Sequence, residues 1–219
     1  PYTAPQGFAA LDRYPLPYEP GWYVMGDVVG DSGLDVVTIK GSPFDSENTP
    51  DDIIEIWENV NGEFNGPPIQ VETLFDPVLV VGGDFDGDGD TDLVSVHATV
   101  GLVVVLHNDN GQFTADPDQD FYFVPGTPFT VSPVDLDQDG VLDLVVGTPF
   151  EGAGPVWLRG KDDGAGNPLG TFEESVDLNL SSGEFAVVPA EMTGTPPLDL
   201  TIVKYDGENF ATVVLKANP

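Results

Sequence analysis

Cysteine is absent from the 219 residues. That excludes disulfides, thiolate zinc sites, iron–sulfur clusters and a cysteine nucleophile. Only two histidines occur, His97 and His107, so imidazole chemistry has little to work with. Cationic side chains are scarce, with 6 Lys+Arg against 38 Asp+Glu and a formal net charge of −32. A chain of this sign repels nucleic acid, whose recognition needs cations facing the phosphates, and anionic membrane surfaces for the same reason. No apolar run reaches the roughly 18 residues that a membrane-spanning helix needs. No G-x-S-x-G, Walker loop or dinucleotide fingerprint is present. Helix signals are poor, because 26 Gly and 21 Pro interrupt the chain every few residues.

What the chain does contain is short extended runs of Val, Leu, Ile and Phe, enough for one sizeable core. Even Asp51–Glu58, the best helical candidate, is rich in Ile and Trp and fits a strand after an acidic turn. The reading is a single all-β domain. The chain begins at Pro1 without an initiating Met, and is taken as a mature, processed product or a cut domain.

Two segments repeat closely: Asp84-Phe-Asp-Gly-Asp-Gly-Asp-Thr-Asp92-Leu-Val and Asp135-Leu-Asp-Gln-Asp-Gly-Val-Leu-Asp143-Leu-Val, both D-x-D-x-D-G-x-x-D-L-V. A weaker copy runs from Asp27 through Asp31 to Asp35, with Val29 in place of the second Asp. A fourth, Glu191 to Asp199, keeps only its ends. The final Asp of each copy stands at 35, 92, 143 and 199, in steps of 57, 51 and 56 residues. Such a period belongs to propeller blades rather than to solenoids. Out of phase with it runs Gly-x-Phe, at Gly62–Phe64, Gly111–Phe113 and Gly170–Phe172. Each unit reads as four short strands, one leading into the Asp loop and one leaving it, then a third, then one after Gly-x-Phe.

The fourth unit lacks its last strand, whereas Gly7-Phe8 and Ala9–Leu16 resemble that missing piece. The expectation is therefore a four-bladed β-propeller of four-stranded blades, closed by the N-terminal strand completing the last blade. The units run over about 17–75, 76–124, 125–180, and 181–219 plus 1–16. Closure would also remove the exposed sheet edge.

Five aspartates within nine residues repel one another, by roughly 4 kcal/mol per close pair at an effective dielectric near 20. Calcium relieves this, since it takes six to eight hard oxygen ligands. Side chains at places 1, 3, 5 and 9 and a carbonyl at place 7 would form the cage, with Gly89 or Gly140 at place 6 making the bend. An EF-hand needs a ligating Glu at place 12, where Ser95 and Val146 stand instead.

The Asp loops, with the Val145-Val-Gly-Thr-Pro149 tail, resemble the FG-GAP/VCBS-type repeats of integrin-α-like β-propellers. The resemblance implies calcium held in the loop between two strands of a blade. One site would be Asp84, Asp86, Asp88, the carbonyl of Asp90, and Asp92. The other would be Asp135, Asp137, Asp139, the carbonyl of Val141, and Asp143. Asp27, Asp31 and Asp35 form a weaker candidate, and the fourth repeat should hold no metal. Family propellers usually have about seven blades, so two copies of this chain could also assemble a larger ring.

His97 and His107 read as surface residues at strand ends, and Trp22, Trp57 and Trp157 as packing between blades rather than sugar platforms. Pro125–Pro133 and Gly152–Gly154 read as exposed loops. The functional expectation is a secreted or cell-surface recognition or adhesion module, lectin-like, binding glycan or an extracellular protein. It is not expected to be an enzyme. A structural subunit of a surface assembly is the alternative, and a polysaccharide-active enzyme domain a third reading.

Overall fold

The computed structural model describes residues 14–16, 20–30, 33–40, 52–64, 66–74, 76–149, 154–178, 184–190, 199–205 and 210–215. Among the described residues, four antiparallel sheets of three or more strands follow one another along the chain. The first holds β1 (Tyr23–Gly26), β2 (Asp35–Ile39), β3 (Ile53–Trp57) and β4 (Ile69–Glu72) in that order. The second holds β5 (Leu79–Gly83), β6 (Asp92–His97), β7 (Leu102–Asp109) and β9 (Phe121–Phe123), with the short β8 (Gln112–Thr114) folded back on the far end of β7. The third holds β10 (Thr130–Val134), β11 (Asp143–Gly147), β12 (Val156–Leu158) and β15 (Val176–Asp177), beside a separate hairpin of β13 (Gly160–Asp162) and β14 (Pro168–Phe172). The fourth shows β16 (Glu184–Ala190), β17 (Asp199–Tyr205) and β18 (Phe210–Leu215).

The sheets pack face to face in sequence order. β5 lies against β1 and β2 on one side and β10 on the other, and β16 runs beside β10 and β11. The second sheet shows why its strands are continuous apolar runs. Val94, Val96, Val103 and Val105 point into a core shared with Val131, Leu144, Val146, Val156 and Leu158 of the third sheet. The alternate residues, Val80, Leu93, Val104 and Leu106, point into a core shared with Val37, Ile39, Ile54 and Ile56 of the first. Both faces of the sheet are buried, so the sequence shows no polar alternation there.

Several expectations are corrected. The Gly-x-Phe segments are not simple connections between third and fourth strands. In the second and third sheets they sit in extra hairpins, β7–β8 and β13–β14. His97 is fully buried rather than at the surface. Its Nε2 lies 2.9 Å from Ser95 Oγ and 3.3 Å from Thr73 Oγ1, a small polar cluster inside the sheet. Of the stretch 125–133, residues 130–133 belong to β10, and Val131 is buried. Pro133 fits there because, among the described residues, β10 pairs with β11 alone and is an edge strand of its sheet. Gly154 is also buried, its carbonyl accepting from Thr148 Oγ1 at 2.7 Å. Gly152, Asp31, the fourth Asp-loop copy before Asp199 and all of 7–16 before Tyr14 lie outside the described residues.

Candidate metal centre

Each Asp loop joins the first two strands of its sheet: 27–35 between β1 and β2, 84–92 between β5 and β6, 135–143 between β10 and β11. The backbone turns left-handed at place 4 in all three, at Gly30 (φ 73°), Gly87 (φ 77°) and Gln138 (φ 62°). Gly89 (φ 98°) and Gly140 (φ 92°) repeat it at place 6 of the two full loops, where a side chain would be strained. Short carboxylate-to-amide bonds tighten each bend. The amide of Gly87 donates to Asp84 at 2.8 Å, that of Asp90 to Asp88 at 2.8 Å, and that of Val141 to Asp139 at 2.9 Å.

The ninth-place aspartate has a role the sequence did not disclose. Asp35, Asp92 and Asp143 are all fully buried. Asp92 Oδ2 accepts from the amide of Phe85 at 3.0 Å, and Oδ1 from the amide of Asn108 on β7 at 2.8 Å. Asp143 does the same with Leu136 (2.9 Å) and Gly160 (2.8 Å). Asp35 takes the amides of Val28 (2.9 Å), Val29 (3.0 Å) and Asn59 (2.9 Å). In the three described loops this carboxylate ties the start of the Asp loop to the third strand or to the second residue beyond its end. Each Asp92 oxygen accepts a single amide and keeps a second lone pair for a cation, whereas Asp35 Oδ2 already takes two amides.

Around these anchors the remaining carboxylates converge. Ligand atoms of Asp84, Asp86 and Asp88 all lie within 4.8 Å of one another, and so do those of Asp86, Asp92 and His107. In the second full loop the cluster is Asp135, Asp137 and Asp143. Burial pushes the Asp92 carboxyl up to about 6, against the pull of its two amide donors. Burial, then the neighbouring Asp88 charge, raises Asp86, and burial raises Asp143. These are the signs of anionic oxygens crowded into low dielectric without enough positive charge. A hard, oxygen-seeking dication fits this donor set: carboxylates at places 1, 3, 5 and 9 of a bend that only glycine permits at place 6.

Sequence reasoning missed three neighbours. Asn108 is buried and bridges two sheets, its Nδ2 donating to the carbonyls of Val28 (2.8 Å) and Thr91 (2.9 Å). Its Oδ1 accepts from the amide of Gly111 at 2.7 Å, as Asn59 Oδ1 does from Gly62 at 2.7 Å. An N-x-x-G-x-F pattern at Asn59–Phe64 and Asn108–Phe113 carried that signal. His107, expected at the surface, is largely covered and sits 3.2 Å from Asp120 and 3.9 Å from Asp86. Arg159 reaches Asp137 and Asp139 of the second loop.

The Gly-x-Phe marker is explained by its docking place. The β13–β14 hairpin leans on loop 84–92 of the preceding sheet. The Gly170 amide donates to the carbonyl of Phe85 at 3.1 Å, and a Cβ on Gly170 would meet His107 Cε1 at 2.5 Å and Asp86 Cβ at 2.9 Å. Phe172 packs edge-on against Phe85 and Tyr122, with ring centroids 5.8 and 5.4 Å apart. The loop is thus bound covalently to one sheet and braced by the next.

Residues 84–146 match the FG-GAP-like repeat family. No curated protein matches the chain. Among solved structures, a chain in the crystal structure of BBS1N in complex with ARL6DN, soaked with lead, is similar, with a TM-score of 0.53 and 13% identity. The match covers 93% of this chain and 59% of that one, so this chain spans rather more than half the neighbour's length. At that identity the likeness is one of fold, and the fold is of the β-propeller type. Residues 84–146, which span both full Asp loops, are thus a segment of FG-GAP-like repeat type.

Proposed function

We propose that this chain is a calcium-stabilised β-propeller module, secreted or displayed at the cell surface, that recognises a glycan or an extracellular protein and performs no catalysis. The observation that carries the reading is the convergence of Asp84, Asp86 and Asp88 within the matched repeat. Calcium would be held by Asp84, Asp86, Asp88, the Asp90 carbonyl and Asp92, and its contribution is charge neutralisation and loop rigidity. The chain's own residues supply the recognition surface. An open cleft of about 580 Å³ between the second and third sheets is lined by Phe121, Phe123, Lys161 and Glu174. Phe123 is 67% exposed, a flat apolar platform next to polar groups of both signs, as sugar or peptide binding requires.

Four blades closed by residues 7–16 is the arrangement we propose for the ring. Support comes from Tyr14, whose ring meets Phe64 of the first sheet edge-on at 5.3 Å. Tyr122, on the outermost strand of the second sheet, meets the Phe172 of the next sheet in the same way at 5.4 Å. Tyr14 therefore stands to the first sheet as an outer-strand residue of a preceding blade would. A second reading, a subunit of a surface assembly, is favoured by the exposed Trp22, Tyr23, Met25 and Leu34 of the first sheet. A glycan array probed in calcium and in chelator tests the first reading. Calcium-dependent binding to a defined glycan class supports it. No glycan or protein ligand, with native mass showing a stable oligomer, would replace it with the second.

A further inference from the structure

The two full Asp loops are alike in sequence but differ in what faces them. In both sheets the residue opposite the ninth-place Asp, one step beyond the paired third strand, overlooks the loop. The register Leu93↔Leu106 puts His107 opposite Asp92, and Leu144↔Leu158 puts Arg159 opposite Asp143. Arg159 is one of six cationic side chains in a chain of net charge −32. Its Nε donates to Asp137 Oδ2 at 2.6 Å, and its Nη2 pairs with Asp139 Oδ2. Nη1 lies 3.9 Å from Glu173.

The carboxylate clusters differ accordingly. In loop 84–92 the places 1, 3 and 5 converge. In loop 135–143 the converging set is places 1, 3 and 9, while the fifth, Asp139, is paired with the guanidinium instead. A planar fork spanning two carboxylates delivers fixed positive charge where a dication would.

We propose that Arg159 is the resident counter-cation of loop 135–143: it holds Asp137 and Asp139, keeps the fifth-place carboxylate out of the cage, and makes this loop a weaker cation site than loop 84–92. The inference rests on the reading that these loops bind calcium. It makes one loop of the chain self-sufficient without metal and leaves the other dependent on it.

The test is calorimetric titration of the full chain with calcium, in an Asp88→Ala background that silences loop 84–92. Adding Arg159→Gln should tighten the remaining site at least tenfold, or create one where none was measurable. Arg159→Lys, which keeps the charge but not the fork, should fall between. Melting in chelator is the second readout: Arg159→Gln should lower the midpoint, and calcium should restore it. Unchanged or weaker calcium binding in Arg159→Gln overturns the proposal, as does an unchanged midpoint in chelator. The chain with both loops intact separates the two claims. If it binds no calcium, the metal reading of loop 84–92 fails, whereas if it binds and Arg159→Gln changes nothing, only the role of Arg159 fails.

Discussion

Replacing Asp35 by Ala isolates the anchoring role of the ninth-place carboxylate from metal binding, because Val29 stands where its loop would need the second Asp. Asp35 is fully buried and accepts three backbone amides, from Val28, Val29 and Asn59. Alanine leaves all three without an acceptor. The bond from Val28 is buried and the other two partly so, which places the cost near the upper end of about 1–3 kcal/mol for the first and lower for the others. The sum is about 3–5 kcal/mol, a large share of the roughly 5–15 kcal/mol that holds a domain. Asp35→Asn keeps one acceptor oxygen and should lose about half as much. Asp27→Ala is the control, since Asp27 meets the exposed amide of Gly30 at 3.0 Å, and should cost less than about 1 kcal/mol. Urea unfolding followed by tryptophan fluorescence, in chelator and in calcium, reads all three. Equal losses with and without calcium are expected. A loss below about 1 kcal/mol in chelator, or one seen only with calcium present, would refute the reasoning.

Calcium at about a hundred times its dissociation constant should stabilise the chain by roughly 2.7 kcal/mol per occupied site, read as a higher melting midpoint than in chelator. Asp92 has a folded-state pKa raised to about 6 from 3.8, so its contribution in chelator is fully present below about pH 4 and lost as pH rises through about 6. Asp92→Asn cannot ionise, and its midpoint should fall less steeply than the parent's across that window; parallel curves would contradict the assignment. Tyr122→Phe removes the hydroxyl that accepts from the Phe172 amide at 3.0 Å between two sheets, and a loss of about 1–2 kcal/mol in urea unfolding is expected. Deleting residues 1–16 strips Tyr14 from Phe64 and should give an aggregating product by light scattering, while a soluble chain of parental stability would count against ring closure.

The central strands were legible because they are buried on both faces, so Leu93–Val96 and Leu102–Leu106 stand out as apolar runs between turn residues. The Asp loops were legible because their pattern needs particular side chains at fixed places. What stayed hidden depends on partners the pattern does not name. The anchoring role of Asp35, Asp92 and Asp143 lies in bonds to backbone amides, which any residue supplies. His97 looked like a strand-end surface residue because its partner Thr73 comes from the previous repeat unit. Arg159 lies 20 residues from Asp139, and only the β11–β12 register brings them together. The extra hairpins escaped because Gly-x-Phe was read as a spacing marker, whereas Gly170 and Phe172 serve to dock one sheet on the loop of another.

Crystals grown in calcium, with anomalous diffraction recorded at a wavelength where calcium scatters appreciably, test the central claim most directly. The account predicts an anomalous peak enclosed by Asp84, Asp86 and Asp88, at calcium–oxygen distances of about 2.3–2.6 Å. Well-ordered density for those three carboxylates with no peak between them would contradict it.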